Sequence, residues 1–296
     1  MPLGLSLQSV ARVRPVLQDE AFLADVQAAS QDLAQLHLWW LGQSGFLVQW
    51  HGRHLLVDPY LSDAPIRSAP GLSPTGLKQT DVVVAPRRLN FVQVVAITHT
   101  HRDHFDRDTL LALLTANQRL ELIIPEASRE AVVNHLEIPI ELPRGLDAGQ
   151  SYAVAGFVIW AVPAAHNFLE RDSAGRHRYL GYLIQAGPWT LYHAGDTVRY
   201  PGMEAWLQRG AVDVALLPIN GDTPSWGEPS TLAGSEAAAL ARDIGARLAI
   251  PCHYGMFAPD TASLDAFVAA AQRLGQRYQV LQCGQRWSSG TLAAGA

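Results

Sequence analysis

The run Thr98-His99-Thr100-His101-Arg102-Asp103-His104 sets three histidines and one aspartate within six residues, directly after the mostly apolar segment Val92 to Ile97. Ordinary core packing asks for no such cluster. A buried strand ends here and a loop of metal-ligand side chains begins. Imidazole and carboxylate are the donors that suit divalent zinc, manganese or iron. Side-chain alternation puts His99 and His101 on one side of an extended loop, while Asp103 and His104 fall on the turn after it and can face a second ion. The spacing therefore predicts two metals.

The H-x-H-x-D-H pattern resembles the metallo-β-lactamase superfamily, whose later ligands are a His, an Asp and a His, each following a strand. Three positions match in that order. His166 lies in Val162-Pro163-Ala164-Ala165-His166-Asn167, Asp196 in Leu191-Tyr192-His193-Ala194-Gly195-Asp196-Thr197, and His253 in Ile250-Pro251-Cys252-His253. The resemblance implies an α+β fold, the four-layer αββα sandwich, with ligands on loops along one edge. It also implies that His99, His101 and His166 hold one ion and that Asp103, His104 and His253 hold a second. Asp196 would bridge them, with Asp103 and Asp196 as the catalytic carboxylates.

Within the superfamily the chain is similar to the L-ascorbate-6-phosphate lactonase-like (UlaG-like) group. The motifs that carry this are Trp39-Trp40-Leu41-Gly42-Gln43-Ser44-Gly45-Phe46, Leu55-Leu56-Val57-Asp58-Pro59-Tyr60-Leu61-Ser62-Asp63, Leu217-Pro218-Ile219-Asn220-Gly221, and Glu236 to Ala241 running on to Pro251-Cys252-His253-Tyr254-Gly255-Met256-Phe257. The likeness spans roughly residues 36–288. The lactonase proper carries a second His and an Asp after the final ligand, where this chain has Tyr254 and Gly255; the match is to the broad group.

Such a site implies a hydrolase. Neutral imidazoles keep it cationic, so bound water ionises near neutral pH. A hydroxide shared by two ions about 3.5–4 Å apart is then the nucleophile. No G-x-S-x-G elbow is present to supply a serine instead. Zinc or manganese is expected ahead of iron. The leading expectation is a hydrolase of a lactone or related cyclic ester, with a phosphorylated sugar acid as one form of it. A phosphodiesterase or phospholipase D-like hydrolase is the alternative. A di-iron redox protein is disfavoured because His101 stands where that branch carries Glu, and a non-catalytic binding protein because every ligand position is kept.

Asp58 ends a strand before Pro59 and reads as a carboxylate that bonds the ligand loops and orients a ligand imidazole through its other N–H. His193 reads as structural and Cys252 as a small core residue. Substrate contacts are expected from loops at 60–75, 167–178 and 220–230 and from the last ligand loop: Tyr60, Asn167, Arg171, Asn220, Trp226 and Tyr254. Asn220 could donate to an oxyanion or simply form its turn.

With 48% hydrophobic and 17% charged residues the composition is that of a soluble globular protein, and no window approaches a membrane span. The net charge of −5, without a basic patch, argues against nucleic acid. Two distant cysteines exclude a disulfide framework and fit a cytoplasmic setting. A small-molecule substrate is expected, and a homo-oligomer is plausible.

Residues 1–35 read as an N-terminal helical extension with a helix over 16–35, placed to cap the core or meet another subunit. Residues 36–288 read as the domain and 289–296 as a frayed tail. Strands are predicted at 36–41, 45–51, 54–58, 92–98, 150–153, 156–162, 179–185, 189–193, 213–218, 247–250, 278–282 and 285–288, with one more ending at Pro125. Helices are predicted at 107–117, 126–136, 202–209, 231–245 and 262–274. The Pro/Gly/Ser-rich segment 62–80 reads as a loop long enough to wall a substrate.

Overall fold

Leu38 and Trp40 face one side of their strand, Trp39 and Leu41 the other, and all four are buried. This is why the run is apolar without alternation: the strand lies in a sheet covered on both faces. A computed structural model of the chain describes residues 12–63, 77–208, 210–221, 230–258 and 262–293. Its elements in chain order are α1 (Asp19–Ala29), β1 (His37–Gly42), β2 (Gly45–Trp50), β3 (Arg53–Val57), β4 (Leu77–Lys78), β5 (Val94–Ala96), α2 (Arg107–Ala116), β6 (Glu121–Pro125), α3 (Arg129–Leu136), β7 (Arg144–Leu146), β8 (Ser151–Val154), β9 (Phe157–Pro163), β10 (Leu180–Ala186), β11 (Trp189–His193), α4 (Met203–Leu207), β12 (Val214–Pro218), α5 (Gly234–Asp243), β13 (Leu248–Cys252), β14 (Phe257–Ala258), α6 (Asp265–Leu274), β15 (Arg286–Ser288) and α7 (Gly290–Ala293).

One sheet has the order β15-β1-β2-β3-β5-β6-β7, the other β13-β12-β11-β10-β9-β8, and β4 pairs with β14 apart from both. In the first, β1 to β3 run antiparallel and β3, β5, β6 and β7 parallel. In the second, β8 to β11 are antiparallel, and β12 and β13 join parallel to β11. One apolar cluster joins the facing sides of the two sheets, from Leu38, Phe46 and Leu55 to Ile159, Tyr182 and Leu216. A second packs α4, α5 and α6 on the outer side of one sheet. A third packs α1, α2 and α3 on the outer side of the other. The four layers are the αββα sandwich.

Several elements differ from the sequence expectation. The first helix stops at Ala29, and Phe22, Val26 and Ala29 sit in the outer core beside Trp39 and Leu41. It caps the core, one of the two placements the sequence left open. Residues 278–282 make one isolated bridge, Tyr278 to Ala249, in place of a strand. The tail is ordered further than expected: α7 reaches Ala293 and buries Leu292. β7 and the β4–β14 pair were not anticipated. None of the helices among the described residues is long and apolar enough to cross a membrane.

The two sheets meet closely where β5 and β11 end and β10 begins. Leu180 N–H donates to Thr98 O at 3.0 Å, and the Tyr182 hydroxyl donates to Ile97 O at 2.7 Å. Gly195 fills this seam at φ +60°; a Cβ there would stand 2.7 Å from Leu180 O and 2.9 Å from Thr98 Cβ. His193 bonds Ser44 O through Nε2 at 2.8 Å, and its Nδ1 accepts Gly195 N–H at 3.2 Å, so it serves the seam structurally.

Candidate metal centre

Each ligand-type side chain stands just past the carboxyl end of a strand: Asp58 after β3, the 99–104 loop after β5, His166 after β9, Asp196 after β11 and His253 after β13. The 99–104 loop turns into α2 because Asp106 caps that helix, accepting Thr109 N–H at 3.2 Å. Seven residues expected from the sequence are brought together. His99, His101 and His166 form one group with their ligand atoms within 4.8 Å of one another; His99, His104 and Asp196 form a second, and Asp103, His104 and His253 a third.

Asp196 lies between them. Its Oδ2 is 3.9 Å from both His99 Nε2 and His166 Nε2 and 3.5 Å from His253 Nε2, and its Oδ1 is 3.3 Å from His104 Nε2. Asp103 Oδ2 is 3.2 Å from His253 Nε2 and 3.5 Å from His104 Nε2.

The ring orientations are set from behind. Asp58 Oδ2 accepts His104 Nδ1–H at 2.7 Å, which leaves Nε2 facing the centre. Thr98 Oγ–H donates to Asp58 at 2.6 Å, so its oxygen is left to accept His99 Nδ1–H at 3.0 Å. His99 Nε2, His104 Nε2 and Asp196 Oδ1 are buried without a hydrogen-bond partner. Buried polar atoms are rarely left so, and these three converge on one point. With imidazole and carboxylate as the donors, the residues present fit divalent cations.

Electrostatics agree. Burial opposes ionisation of Asp103 and Asp196, but the neighbouring His104 and His253 hold both carboxyls well below the usual range. Burial also works against charge on His104 and His253, yet Asp196 and Asp103 outweigh it, raising His104 and pushing His253 up to about 9. Burial lowers His99 and takes His166 down to about 4. The first triad thus offers neutral nitrogens, while Asp103 and Asp196 favour positive charge on His104 and His253.

The expected substrate residues are more scattered. Tyr60 is 1% exposed, wedged with Met256 and Phe257 beneath the Lys78 ammonium, and presents no surface. Tyr254 spends its hydroxyl on Leu281 O and lies tilted against the Trp40 ring, centroids 4.8 Å apart. Asn220 accepts from Thr231 within its own loop, and Arg171 donates to Gly175 O within the 171–177 turn. Asn167 is exposed beside His166 at φ +108°. Trp226 lies outside the described residues.

Two neighbours of the centre escaped the sequence reading. Tyr179 stacks on His166 with centroids 4.9 Å apart and also touches His99 and His101. Gln43 places its amide nitrogen 2.8 Å from Asp103 Oδ2. A bulky residue inside the glycine-bounded turn Gly42-Gln43-Ser44-Gly45 was the available signal for the latter.

The facing sheets and the imidazole–carboxylate cluster on one edge define a protein of the metallo-β-lactamase fold. The chain belongs to the β-lactamase superfamily domain family, which it matches over residues 53–254. It is similar to a UPF0173 metal-dependent hydrolase of Pyrobaculum aerophilum, 27% identical over 225 residues, or 75% of this chain and 85% of that one. Its fold is similar to that of Igni18, a metallo hydrolase from Ignicoccus hospitalis, with a TM-score of 0.63 and 21% identity, covering 86% of this chain and 98% of the other. It is also similar to CmlA, a diiron β-hydroxylase from Streptomyces venezuelae, with a TM-score of 0.63 and 17% identity over 86% of this chain and 53% of that one. One fold thus hosts different chemistries, and the site must decide between them.

Proposed function

We propose that this metal-dependent hydrolase of the metallo-β-lactamase superfamily holds two divalent cations, zinc or manganese, and opens a lactone or related cyclic ester. His99, His101 and His166 would hold one cation, Asp103, His104 and His253 the other, with Asp196 shared. The observation that carries this is the convergence of His99 Nε2, His104 Nε2 and Asp196 Oδ1, all buried, none in a well-formed hydrogen bond, and with His104 Nε2 and Asp196 Oδ1 only 3.3 Å apart. When bound, such a pair of cations lowers the pKa of water and polarises a carbonyl or phosphoryl oxygen. The chain's own contribution is orientation: Asp58 and Thr98 set the ring nitrogens, and Asp196 reaches both groups. His101 supports hydrolysis over di-iron redox chemistry, because an imidazole stands where that branch carries a carboxylate.

Aromatic side chains next to the centre support a ring substrate. Phe168, two residues past His166, is 66% exposed, and the Tyr179 ring lies against three imidazoles. The test is proton release by the manganese- or zinc-loaded protein, with a sugar-lactone panel set against phosphodiesters at matched concentration. Lactone opening is expected to be faster and to be lost in Asp196→Ala. Faster phosphodiester cleavage would replace the substrate assignment, and full activity in Asp196→Ala would sink the two-cation mechanism.

A further inference from the structure

Helix α1 and the turn that leads into β5 enclose a cavity of about 310 Å³. Leu23, Val26, Gln27 and Ser30 line it from α1. Their spacing of three and four residues is that of one helix face. Asn90 and Phe91 line it from the turn, and His54, the second residue of β3, lines it from the sheet. Asp58 lies past the other end of that strand, about 13 Å farther along at the rise of an extended chain. The cavity is thus apart from the metal centre.

Its walls are fastened together. Gln93 Oε1 accepts His54 N–H at 2.7 Å, and Gln93 Nε2 donates to Phe91 O at 2.8 Å. The His54 and Phe91 rings meet edge to face with centroids 4.7 Å apart. Gln49, paired with His54 across β2 and β3, donates through Nε2 to Ala29 O at 3.0 Å and so ties the sheet to the end of α1.

His54 is only 5% exposed, yet neither Nδ1 nor Nε2 has a hydrogen-bond partner. Oε1 of the fully buried Gln49 has none either. Among the described residues, the other buried histidines away from the centre each spend a ring nitrogen within the protein: His37 on Ser288, His177 on Asp147 and His193 on Ser44. Buried polar atoms are rarely left unpaired. Three of them on one cross-strand pair, beside a cavity, point to a polar group that enters from outside.

Charge selects the class of that group. Burial pushes His54 down to about 4, so near neutral pH its ring is uncharged and carries one N–H donor and one acceptor nitrogen. Arg88, the cation of this lining, is already paired with Glu20 at 2.9 Å and faces Asp19 at 3.7 Å. The cavity therefore calls for no anion. Leu23, Val26 and Phe91 offer apolar wall. A hydroxyl can donate to one imidazole nitrogen or accept from the other.

We propose that this cavity is a binding site, separate from the metal centre, for a small neutral molecule that carries an apolar ring and a hydroxyl. The hydroxyl bonds His54, and the ring lies against Phe91, Leu23 and Val26.

The probe is phenol, with toluene as the same ring without its hydroxyl and benzoate as a charged counterpart. Each is titrated into the full-length protein, with chelator and again with Mn2+, by calorimetry and by NMR of isotope-labelled histidine. Phenol should bind with a dissociation constant of about 1 mM, shift the His54 ring signals, and do so equally in both conditions. Toluene and benzoate should each bind about fivefold more weakly or worse, the worth of one hydrogen bond. His54→Leu should erase the preference for phenol over toluene. Gln27→Trp enlarges an exposed residue of the lining. It should block phenol while leaving the circular dichroism of the protein unchanged. Phenol that leaves the His54 signals unmoved would overturn the proposal. So would toluene or benzoate binding as tightly as phenol, or phenol binding only with Mn2+ present, which would put it at the metal centre. Should His54→Leu not fold, undiminished phenol binding by Gln27→Trp would overturn it alone.

Discussion

Asp58 gathers three donors on two oxygens: Thr98 N–H at 2.8 Å, the Thr98 hydroxyl at 2.6 Å and His104 Nδ1–H at 2.7 Å. Asp58→Ala leaves all three buried without an acceptor. Each such loss costs about 1–3 kcal/mol, so urea unfolding should show a drop of about 3 kcal/mol or more. Metal affinity, read by titration, should fall about 10–100-fold because His104 loses its orientation. Unchanged affinity would mean that packing alone holds the ring. Asp58 was readable from the sequence because a carboxylate at a strand end before proline has few other uses. The 99–104 cluster was readable because four candidate ligands crowd into one loop. Gln43 and Tyr179 were not, since a glutamine in a turn and a tyrosine at a strand start are ordinary there. Only the folding of distant segments brings them to the candidate ligands. Tyr60 failed in the opposite sense: its ring turns inward onto Phe257.

At the scale of elements, α1 makes the sharpest test. Phe22 is fully buried with its ring 6.3 Å from that of Trp39, and the Trp39 indole N–H donates to Asp25 on the same helix at 2.8 Å. If α1 is core, Phe22→Ala should cost about 3–5 kcal/mol of unfolding free energy. A detachable extension would lose almost nothing. Helical spacing announced α1 but not its end: Ser30 bonds Gln27 O, and Asp32 caps Ala34 N–H, local bonds that compete with further helix. Strands β1, β2 and β12 were legible because each buries both faces. β7 was not, being three residues with one buried side chain. The apolar residues near 278–282 promised a strand, but Leu281 is spent in the core between the sheets and only Tyr278 reaches a bridge.

At the scale of the molecule, the centre spans the seam. His99, His101, Asp103 and His104 follow a strand of one sheet; His166, Asp196 and His253 follow strands of the other. A bound cation therefore ties the two halves, and free cation at about 100 times Kd should add about 2.7 kcal/mol per site to stability. Thermal unfolding with and without chelator checks this, and an unchanged midpoint would contradict it. Amide exchange at Leu180, which bonds Thr98 across the seam, should quicken in the stripped protein. The order of these residues along the chain has a further consequence. During synthesis the three-histidine group is complete once His166 has emerged, while the shared carboxylate waits for Asp196 and the other position for His253. If the two cation positions are as proposed, the all-imidazole one would have its full set of ligands on the emerging chain first, and the other only once the edge strand β13 of the second sheet has followed.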